Sequence, residues 1–270
     1  MPSSYLAFQL TIILMLVLIL ILLFLVFHKT RKVHMATYSI VEGVGIARRE
    51  SELLFSRFRT TLYLEKILGL EKPLPPIRGW TGSPDFLLTV TDAVISRKPT
   101  TVLECGSGVS TLVIARCLQL NAAGHLYSLE HESKYAQRTV ELLKEYELSN
   151  WATVVHSPLI AIKGETPWYD QSVIPPHINQ IELLVVDGPP STIAPLARLP
   201  ALPRLLPKLA DSATVILDDA ARKDEIEIVK RWSEYAPDFH STFFDHEKGC
   251  VVLEREPPRV VEEWSQQAEG

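Results

Sequence analysis

Short apolar runs separated by glycine- or proline-containing turns recur from about residue 100 onward, and each run has the length of a buried strand. The predicted strands are Thr101–Leu103, His125–Leu129, Trp151–His156, Ile181–Val186, Ala213–Leu217, Phe239–Phe244 and Cys250–Glu254. The predicted helices are Pro84–Arg97, Thr111–Leu120, 132–146, a short or kinked Leu196–Leu209, and Ala221–Trp232. This alternation predicts an α/β fold with a doubly wound, mostly parallel sheet of seven strands.

The final two runs differ from the others because only the turn His246–Gly249 separates them. A turn this tight joins antiparallel neighbours, so we expect an antiparallel last strand in an otherwise parallel sheet. The run Ile181–Val186 is apolar apart from Glu182. That composition is expected of a parallel strand covered on both faces.

A much longer apolar run, Leu6–Phe27, contains only Gln9 and Thr11 as polar residues. As a helix it would be about 33 Å long, enough to cross the hydrocarbon core of a bilayer. A cleaved signal peptide is the alternative, but it would need a preceding basic residue, a shorter apolar core and a small-residue cleavage site. Basic residues instead follow the run from Lys29 onward. The positive-inside rule therefore predicts a single-pass membrane anchor with the remainder of the chain in the cytoplasm.

These patterns predict five parts of the chain. They are a short tail (1–5), a transmembrane helix (6–27), a helical linker (28–76), an α/β domain (77–256) and a polar, mobile tail (257–270). Within the linker, residues 35–45 show no clear period, whereas residues 46–70 carry a broken helical stripe with several arginines. These arginines either contact anionic lipid headgroups or form the solvated face of a helix.

Charge and cysteine content exclude some classes of partner. The net charge is −5 and the pI about 5.9, whereas a broad nucleic-acid surface is usually basic. We therefore expect no nucleic-acid partner. Cys105, Cys117 and Cys250 form no C-x-x-C pair, so neither a disulfide framework nor a zinc knuckle is expected. Sparse cysteines suit a reducing compartment.

The turn after the first predicted strand, Glu104-Cys105-Gly106-Ser107-Gly108, carries the clearest chemical motif. Its glycines allow a tight turn and close approach of a ligand to the backbone. A helix starting behind it, with Ser110 or Thr111 as N-cap, would direct free N–H groups to that ligand. The dinucleotide fingerprint G-x-G-x-x-G is incomplete because Thr111 occupies its third glycine position. An ordinary strand–turn–helix without a ligand is the alternative.

With its acid two positions before the first glycine, this turn resembles that of the class I S-adenosylmethionine-dependent methyltransferases. The resemblance covers about residues 79–254 and includes the antiparallel end of the sheet. It implies S-adenosylmethionine as cofactor, with Glu130, at the end of the second strand, binding both ribose hydroxyls. Otherwise Glu130 is a carboxylate at a helix start. The implied cofactor-binding residues are Glu104, Gly106, Ser107, Gly108, Ser110, Glu130, His131, Ser157 and Asp187.

Three further carboxylates follow the fourth and fifth strands: Asp187 and the pair Asp218-Asp219. The resemblance places Asp187 near the transferred methyl group, as the candidate catalytic residue. In the similar catechol-type O-methyltransferases, an acid after strand four and an acid–amide pair after strand five hold Mg²⁺, which lowers the pKa of the acceptor hydroxyl. Here Asp219 stands where the amide would be. Alternatively, Asp187 contacts substrate or cofactor, and Asp218 and Asp219 cap the next helix.

The long loop Pro158–Gln180 contains Trp168 and Tyr169. Long loops at the carboxyl ends of strands often shape a substrate pocket. These two aromatic residues form either a wall for the methyl acceptor or a surface clamp that orders the loop.

Together these features predict a membrane-anchored methyltransferase acting on an oxygen of a small or lipid-linked acceptor at the cytoplasmic face. Methyl transfer from the sulfonium of S-adenosylmethionine is an in-line displacement. It needs the acceptor held near the methyl group and, for a hydroxyl acceptor, a way to remove the proton of that hydroxyl. Two alternatives are a non-catalytic, membrane-tethered module that binds S-adenosylmethionine, and a nicotinamide-dependent oxidoreductase. The missing third glycine and the antiparallel ending disfavour the oxidoreductase.

Overall fold

The computed structural model describes residues 2–77, 81–161 and 163–255, and the tail predicted at 257–270 lies outside them. Contacts divide the chain into two compact units, Met1–Ser56 and Arg57–Gly270. The first unit is helical, because helix α1 (Pro2–Leu68) passes through all of its described residues. No proline interrupts the chain between Pro2 and Pro73, so α1 continues through residues 35–45, where the sequence shows no period.

The N-terminal part of α1 is apolar and exposed. Every described side chain from Tyr5 to Phe27 is exposed to solvent. Among the described residues, this helix is long and apolar enough to cross a membrane, with a mean hydropathy of 3.5 over its most apolar 18 residues, none of which is buried. The apolar run is therefore not a core helix of the folded chain.

The second unit contains the α/β elements. In chain order they are α2 (Pro84–Arg97), β1 (Thr101–Cys105), α3 (Val109–Asn121), β2 (His125–Glu130), α4 (Ser133–Glu145), β3 (Ala152–His156), β4 (Leu159–Ile160), β5 (Trp168–Tyr169), β6 (Ile181–Val186), α5 (Ala201–Leu205), β7 (Leu209–Asp218), α6 (Lys223–Tyr235), β8 (Phe239–Phe244) and β9 (Cys250–Arg255). Helix α5 is as short as predicted, since prolines at positions 200, 203 and 207 limit it.

Seven of the strands form one sheet in the order β3-β2-β1-β6-β7-β9-β8. The first five of these pair in parallel, and β9 is antiparallel to both β7 and β8. This confirms the predicted sheet with its antiparallel last strand. The chain passes to opposite sides of β1, with β2 on one flank and β6 on the other. The carboxyl ends of β1 and β6 therefore border the crevice where open α/β sheets bind ligands.

Both faces of the sheet are covered by apolar side chains. Leu103 of β1 belongs to a cluster that includes Trp232 of α6, whereas its neighbour Val102 belongs to a second cluster with Phe86 of α2. Leu64 and Leu68, at the end of α1, are fully buried in this second cluster. The last turns of α1 therefore complete the core of the unit that begins at Arg57.

Candidate active site

Glu104, the fourth residue of β1, is completely buried beneath the glycine turn. Its Oε2 accepts hydrogen bonds of 2.6 Å from the hydroxyls of Thr111 and Ser128. Burial raises the pKa of Glu104 to about 7, although the hydroxyls of Ser110, Ser128 and Thr111 favour its charged form. Glu104 therefore connects the turn to β2 and α3 through neutral hydrogen-bond donors.

Helix α3 begins earlier than expected, so the prediction that Ser110 or Thr111 is its N-cap is wrong. The N-cap is Gly108, and Thr111 occupies the third helical position. The Gly108 N–H donates to Thr111 Oγ1 at 2.9 Å. Because the Thr111 hydroxyl in turn donates to Glu104, the start of α3 is stabilised by the same buried acid.

The two glycines of the turn have different surroundings. Gly106 has a φ of +96°, and a Cβ there would lie 3.0 Å from the backbone nitrogen of Gly188. A Cβ on Gly188 would in turn lie 3.0 Å from Gly106 Cα and 2.5 Å from the hydroxyl of Tyr169. Around Gly108, by contrast, no atom of the described residues lies within 4 Å of a Cβ. The turn thus packs tightly on the end of β6 at Gly106 and borders open space at Gly108.

Glu130, at the end of β2, is 5% exposed and lies beside the same turn. Its Oε2 accepts from the N–H and the hydroxyl of Ser107, at 3.1 and 3.0 Å, and its Oε1 accepts from the Glu132 N–H at 3.0 Å. The His131 ring is close as well, with Nδ1 2.9 Å from Oε1. Burial raises the pKa of Glu130, but the His131 contact and the two backbone N–H groups outweigh it, so the net pKa is lowered. Glu130 is therefore a carboxylate at neutral pH.

Ser157 follows β3, where the sequence predicts a cofactor contact. It is fully buried, its N–H donates to the Glu130 carbonyl at 2.7 Å, and its hydroxyl donates to the Asp170 carbonyl at 3.0 Å. In this arrangement Ser157 ties the end of β2 to the loop after β3.

That loop is more ordered than predicted. Strands β4 and β5 pair antiparallel within it, with Leu159 opposite Tyr169. Trp168 and Tyr169 are 0% and 1% exposed, so they do not form a surface clamp. Both line a pocket together with Ile160 and Arg204, and the acceptor wall stays a prediction. They are core residues, and the ring of Tyr169 stands edge-on to His131 at 6.3 Å.

The structure brings Asp187, Asp218 and Asp219 together at the ends of β6 and β7. One carboxylate oxygen from each lies within 4.8 Å of the others. Asp218 and Asp219 are buried, whereas Asp187 is partly exposed to the crevice. Burial raises the pKa of Asp218 to about 6, and the neighbouring Asp219 raises it as well. Burial and Asp218 also raise the pKa of Asp187 well above its ordinary range, against the opposing effect of Arg198.

Arg198, which the sequence analysis missed, lies among these carboxylates and is 3% exposed. Its Nη2 is 2.8 Å from Asp219 Oδ2 and 3.4 Å from Asp187 Oδ1. It also donates to the main-chain carbonyls of Asp187 at 2.7 Å and Asp218 at 2.8 Å. One signal was available, since Arg198 is the first charged residue after Asp187 in an otherwise apolar and proline-rich stretch. Such a buried cation needs anionic partners.

The alternative role for the aspartates, capping the following helix, is wrong. Helix α6 starts at Lys223 and its N-cap is Arg222. Asp219 instead accepts from two guanidinium groups, since Arg222 Nη1 also lies 2.8 Å from its Oδ2. Neither oxygen of Asp218 accepts a hydrogen bond from the described part of the chain.

Several solved structures share this fold. An O-methyltransferase from Bacillus cereus in complex with SAH is 15% identical, covers 73% of this chain and 91% of its own, and gives a TM-score of 0.53. The O-methyltransferase TomG from Streptomyces achromogenes, in complex with SAM, is 16% identical, with 73% and 87% covered and a TM-score of 0.50. A methyltransferase from Geobacter sulfurreducens is 14% identical, with 73% and 88% covered and a TM-score of 0.50.

The sequence family agrees with the fold. Residues 103–220 match the family described as "Methyltransferase domain", and this range includes the glycine turn, Glu130 and all three aspartates. The chain contains a methyltransferase domain with the class I fold. No curated protein matches the chain at a significant level. Because the family match and the antiparallel end of the sheet both indicate a methyltransferase, the nicotinamide-dependent oxidoreductase is not retained as an alternative.

The residues predicted from the sequence fall into two groups within the methyltransferase domain. Glu104, the glycine turn and Glu130 form one group at the ends of β1 and β2. Asp187 and the aspartate pair form the other at the ends of β6 and β7. The two groups touch where Gly106 packs on Gly188. A cofactor in the crevice would thus lie between a set of hydroxyl-bonded acids and a set of acids paired with Arg198.

Proposed function

We propose that the chain is a membrane-anchored methyltransferase that transfers the methyl group of S-adenosylmethionine to an oxygen of a small or lipid-linked acceptor. One observation supports this proposal most strongly. At the crevice bordered by β1 and β6, three features lie together: an ionised Glu130, an open turn at Gly108 and the carboxylate of Asp187. The SAM and SAH bound in the TomG and Bacillus cereus structures support the choice of cofactor.

In the proposed complex, Glu130 accepts hydrogen bonds from the two ribose hydroxyls of the cofactor. Its Oε2 is held by the Ser107 N–H and hydroxyl. The incoming ribose replaces the Ser107 hydroxyl, which also lies 3.0 Å from Thr139 Oγ1, and leaves the backbone bond in place. Gly108 admits the cofactor because no side chain fills the space beside it. Glu104, which is fully buried, supports the turn from below.

Asp187 is the proposed general base. The acceptor oxygen attacks the methyl carbon in line with the departing sulfur, the carbon–sulfur bond breaks, and the acceptor's proton passes to the Asp187 carboxylate. Its raised pKa favours this role, because a carboxylate with a higher pKa is a stronger base. Its partial exposure to the crevice allows contact with an acceptor.

The N-terminal helix is the proposed anchor. Residues 6–27 are apolar and exposed, and basic residues follow from Lys29. The domain is therefore proposed to face the cytoplasm, where a lipid-linked or membrane-dissolved acceptor would be concentrated near it. Protease protection of a tag after Gly270 in sealed vesicles tests this topology, and a tag on the outer face would contradict it.

The cofactor is tested by calorimetric titration of the full chain in detergent micelles with S-adenosylhomocysteine, with NAD as the negative control. We expect micromolar affinity for S-adenosylhomocysteine and none for NAD. Hydrogen bonds to a charged group contribute about 1.5–3 kcal/mol, so Glu130→Gln should weaken binding roughly 10- to 100-fold. Glu141→Gln, an exposed acid on α4, is the matched control and should bind as the wild type does. Failure of the wild type to bind would refute the proposed function.

Catalysis is tested separately, by transfer of a labelled methyl group from S-adenosylmethionine to hydroxyl compounds of a membrane extract. We expect Asp187→Asn to retain affinity for S-adenosylhomocysteine and to lose methyl transfer. A wild-type chain that binds the cofactor but labels no acceptor would instead favour the non-catalytic, membrane-tethered module.

A further inference from the structure

We propose that Arg198 takes the place of a divalent cation in the acidic cluster of Asp187, Asp218 and Asp219, so that the domain works without a metal there. The proposal rests on the proposed function for the role of Asp187 in proton removal. The occupancy of the cluster by a guanidinium can be tested without any methyl transfer.

The position of the guanidinium supports this replacement. It contacts oxygens of two of the three aspartates, at 2.8 Å (Asp219 Oδ2) and 3.4 Å (Asp187 Oδ1), and accepts nothing in return. Arg198 also donates to three main-chain carbonyls, those of Asp187, Asp218 and, at 3.5 Å, Pro189. The first two of these bonds join the carboxyl ends of β6 and β7. A hard cation would use this same set of carboxylate and carbonyl oxygens.

The charges around Arg198 lead to the same conclusion. Glu225, 2% exposed, has Oε1 3.9 Å from Arg198 Nη1. Arg222 Nη1 contacts Asp219 at Oδ2, the same oxygen that Arg198 contacts. Buried carboxylates are stable only when cations or hydrogen-bond donors accompany them. A guanidinium offers five N–H donors in a fixed plane, which lets one side chain serve carboxylates and carbonyls together. Asp219 Oδ2, with two guanidinium partners, is not free to bind a metal.

In the proposed reaction, Arg198 positions Asp187. Because Nη2 contacts both the carbonyl and the carboxylate of Asp187, Arg198 restrains the main chain and the side chain of the proposed base. In a metal-dependent mechanism a cation would lower the pKa of the acceptor hydroxyl. Here the Asp187 carboxylate takes the proton without that assistance.

Asp218 provides the means of testing the replacement. Both of its carboxylate oxygens are buried and accept no hydrogen bond from the described residues. If Arg198 occupies a cation site, removing its side chain should leave Asp218 and its two neighbours as oxygen ligands around a vacated space. A shortened Arg198 variant should therefore gain affinity for a divalent cation that the wild type lacks.

The probe is Mn²⁺, followed by the electron paramagnetic resonance signal of the free ion, with the full chain in detergent micelles. We expect no Mn²⁺ bound at the cluster of the wild type, and the same wild-type Tm in EDTA and in excess Mg²⁺. Arg198→Ser should bind one Mn²⁺ per chain, and saturation should raise its Tm by about 5 °C. Arg198→Ser combined with Asp218→Asn should lose that binding.

Two variants serve as controls. Arg222→Ser removes the other guanidinium from Asp219, but its side chain is 40% exposed, so it should gain no Mn²⁺ site. Arg198→Lys retains a cation in the cluster and should also gain none. A folded Arg198→Ser that binds no Mn²⁺ would overturn the proposal. So would a wild-type chain that binds Mn²⁺ and loses it on Asp218→Asn, a measurement that decides the question even where Arg198→Ser does not fold.

The two proposals fail separately. Absence of S-adenosylhomocysteine binding would refute the proposed function and leave the Mn²⁺ result valid. Wild-type binding of the nucleoside that persists in EDTA, together with Mn²⁺ binding to Arg198→Ser, would support both.

Discussion

The two sides of the crevice hold buried acids by different means. Beneath the glycine turn, Glu104 is accompanied by neutral hydroxyl groups, those of Ser110, Thr111 and Ser128. At the ends of β6 and β7, the aspartates are accompanied by the guanidinium of Arg198. Hydroxyl donors tolerate protonation of the acid, because a hydroxyl can rotate and accept instead of donate. A guanidinium has no acceptor, so protonation of an aspartate weakens its pairing with Arg198.

This difference separates an acid held by hydroxyl groups from acids paired with a cation. Glu104, with a pKa raised to about 7, can become neutral without loss of its hydrogen-bond partners. The aspartate cluster loses its balance of charge if Arg198 is removed, because four buried or nearly buried acids then lose the guanidinium that lies among them. The stability of the domain should therefore respond differently to changes on the two sides.

The largest expected effect follows removal of the guanidinium. Breaking a buried ion pair from one side costs about 3–5 kcal/mol, whereas loss of one hydrogen bond to a charged group costs about 1.5–3 kcal/mol. We expect Arg198→Met to lower the free energy of unfolding by the larger amount and Ser128→Ala by the smaller. Urea unfolding of the full chain in detergent micelles, followed by tryptophan fluorescence at pH 7.5, measures both. Equal losses in the two variants would remove the distinction between the two sides.

The second effect is a pH dependence that originates in Glu104. Its pKa is raised on folding from an ordinary 4.5 to about 7, so the folded chain binds this proton more tightly than the unfolded chain. Stability therefore falls as the pH rises from about 4.5 to 7, and the loss from this group is about 3 kcal/mol.

Glu104→Gln, which keeps the size and one acceptor oxygen, should be less sensitive to pH over this range. The free energy of unfolding of both proteins is measured in urea across this pH range. The difference between the two pH profiles reports on Glu104, because titration of Asp218 contributes equally to both. Parallel curves for the two proteins would contradict the assignment of this titration to Glu104.

The smallest effect concerns the contact between the two sides. At Gly106, an alanine must adopt a φ of +96° and place its Cβ 3.0 Å from the Gly188 nitrogen. Such backbone strain costs about 1–3 kcal/mol, so Gly106→Ala should lower the free energy of unfolding by about 2 kcal/mol. Gly108→Ala meets no atom of the described residues and should be near neutral for stability, while weakening S-adenosylhomocysteine binding. If Gly108→Ala left binding unchanged, the open space at Gly108 would not be where the cofactor lies.

Local pattern predicted most of the sheet. Strands β6 and β8 have the predicted bounds, because each is a continuous run ended by turn residues. Strand β7 begins at Leu209 rather than Ala213, since it continues through the exposed Asp211 and Ser212, which interrupt the apolar pattern. The two-residue strands β4 and β5 are too short to produce any period. Their pairing depends on burial of Trp168 and Tyr169 in the core.

In the candidate site, too, some residues were predicted from the local sequence pattern and others were not. Glu104, Glu130 and Asp187 were predicted because each follows or ends an apolar run at a place where strands meet a crevice. The partners of these acids were not predicted. Ser128 donates to Glu104 from 24 positions away, and Arg198 reaches Asp219 across 21 positions. No periodicity connects such residues.

The sequence by itself determined where the strands, the glycine turn and the N-terminal apolar helix occur, because these depend on backbone freedom and on burial over a few neighbouring residues. Only the tertiary structure decided which donor accompanies each buried acid. Hydrogen bonds and ion pairs act over about 3–4 Å, and residues far apart in the chain come within that distance only after the sheet has assembled. Arg198 is the clearest case. In the sequence it is a single charged residue in an apolar stretch, whereas in the folded chain its guanidinium lies among carboxylates.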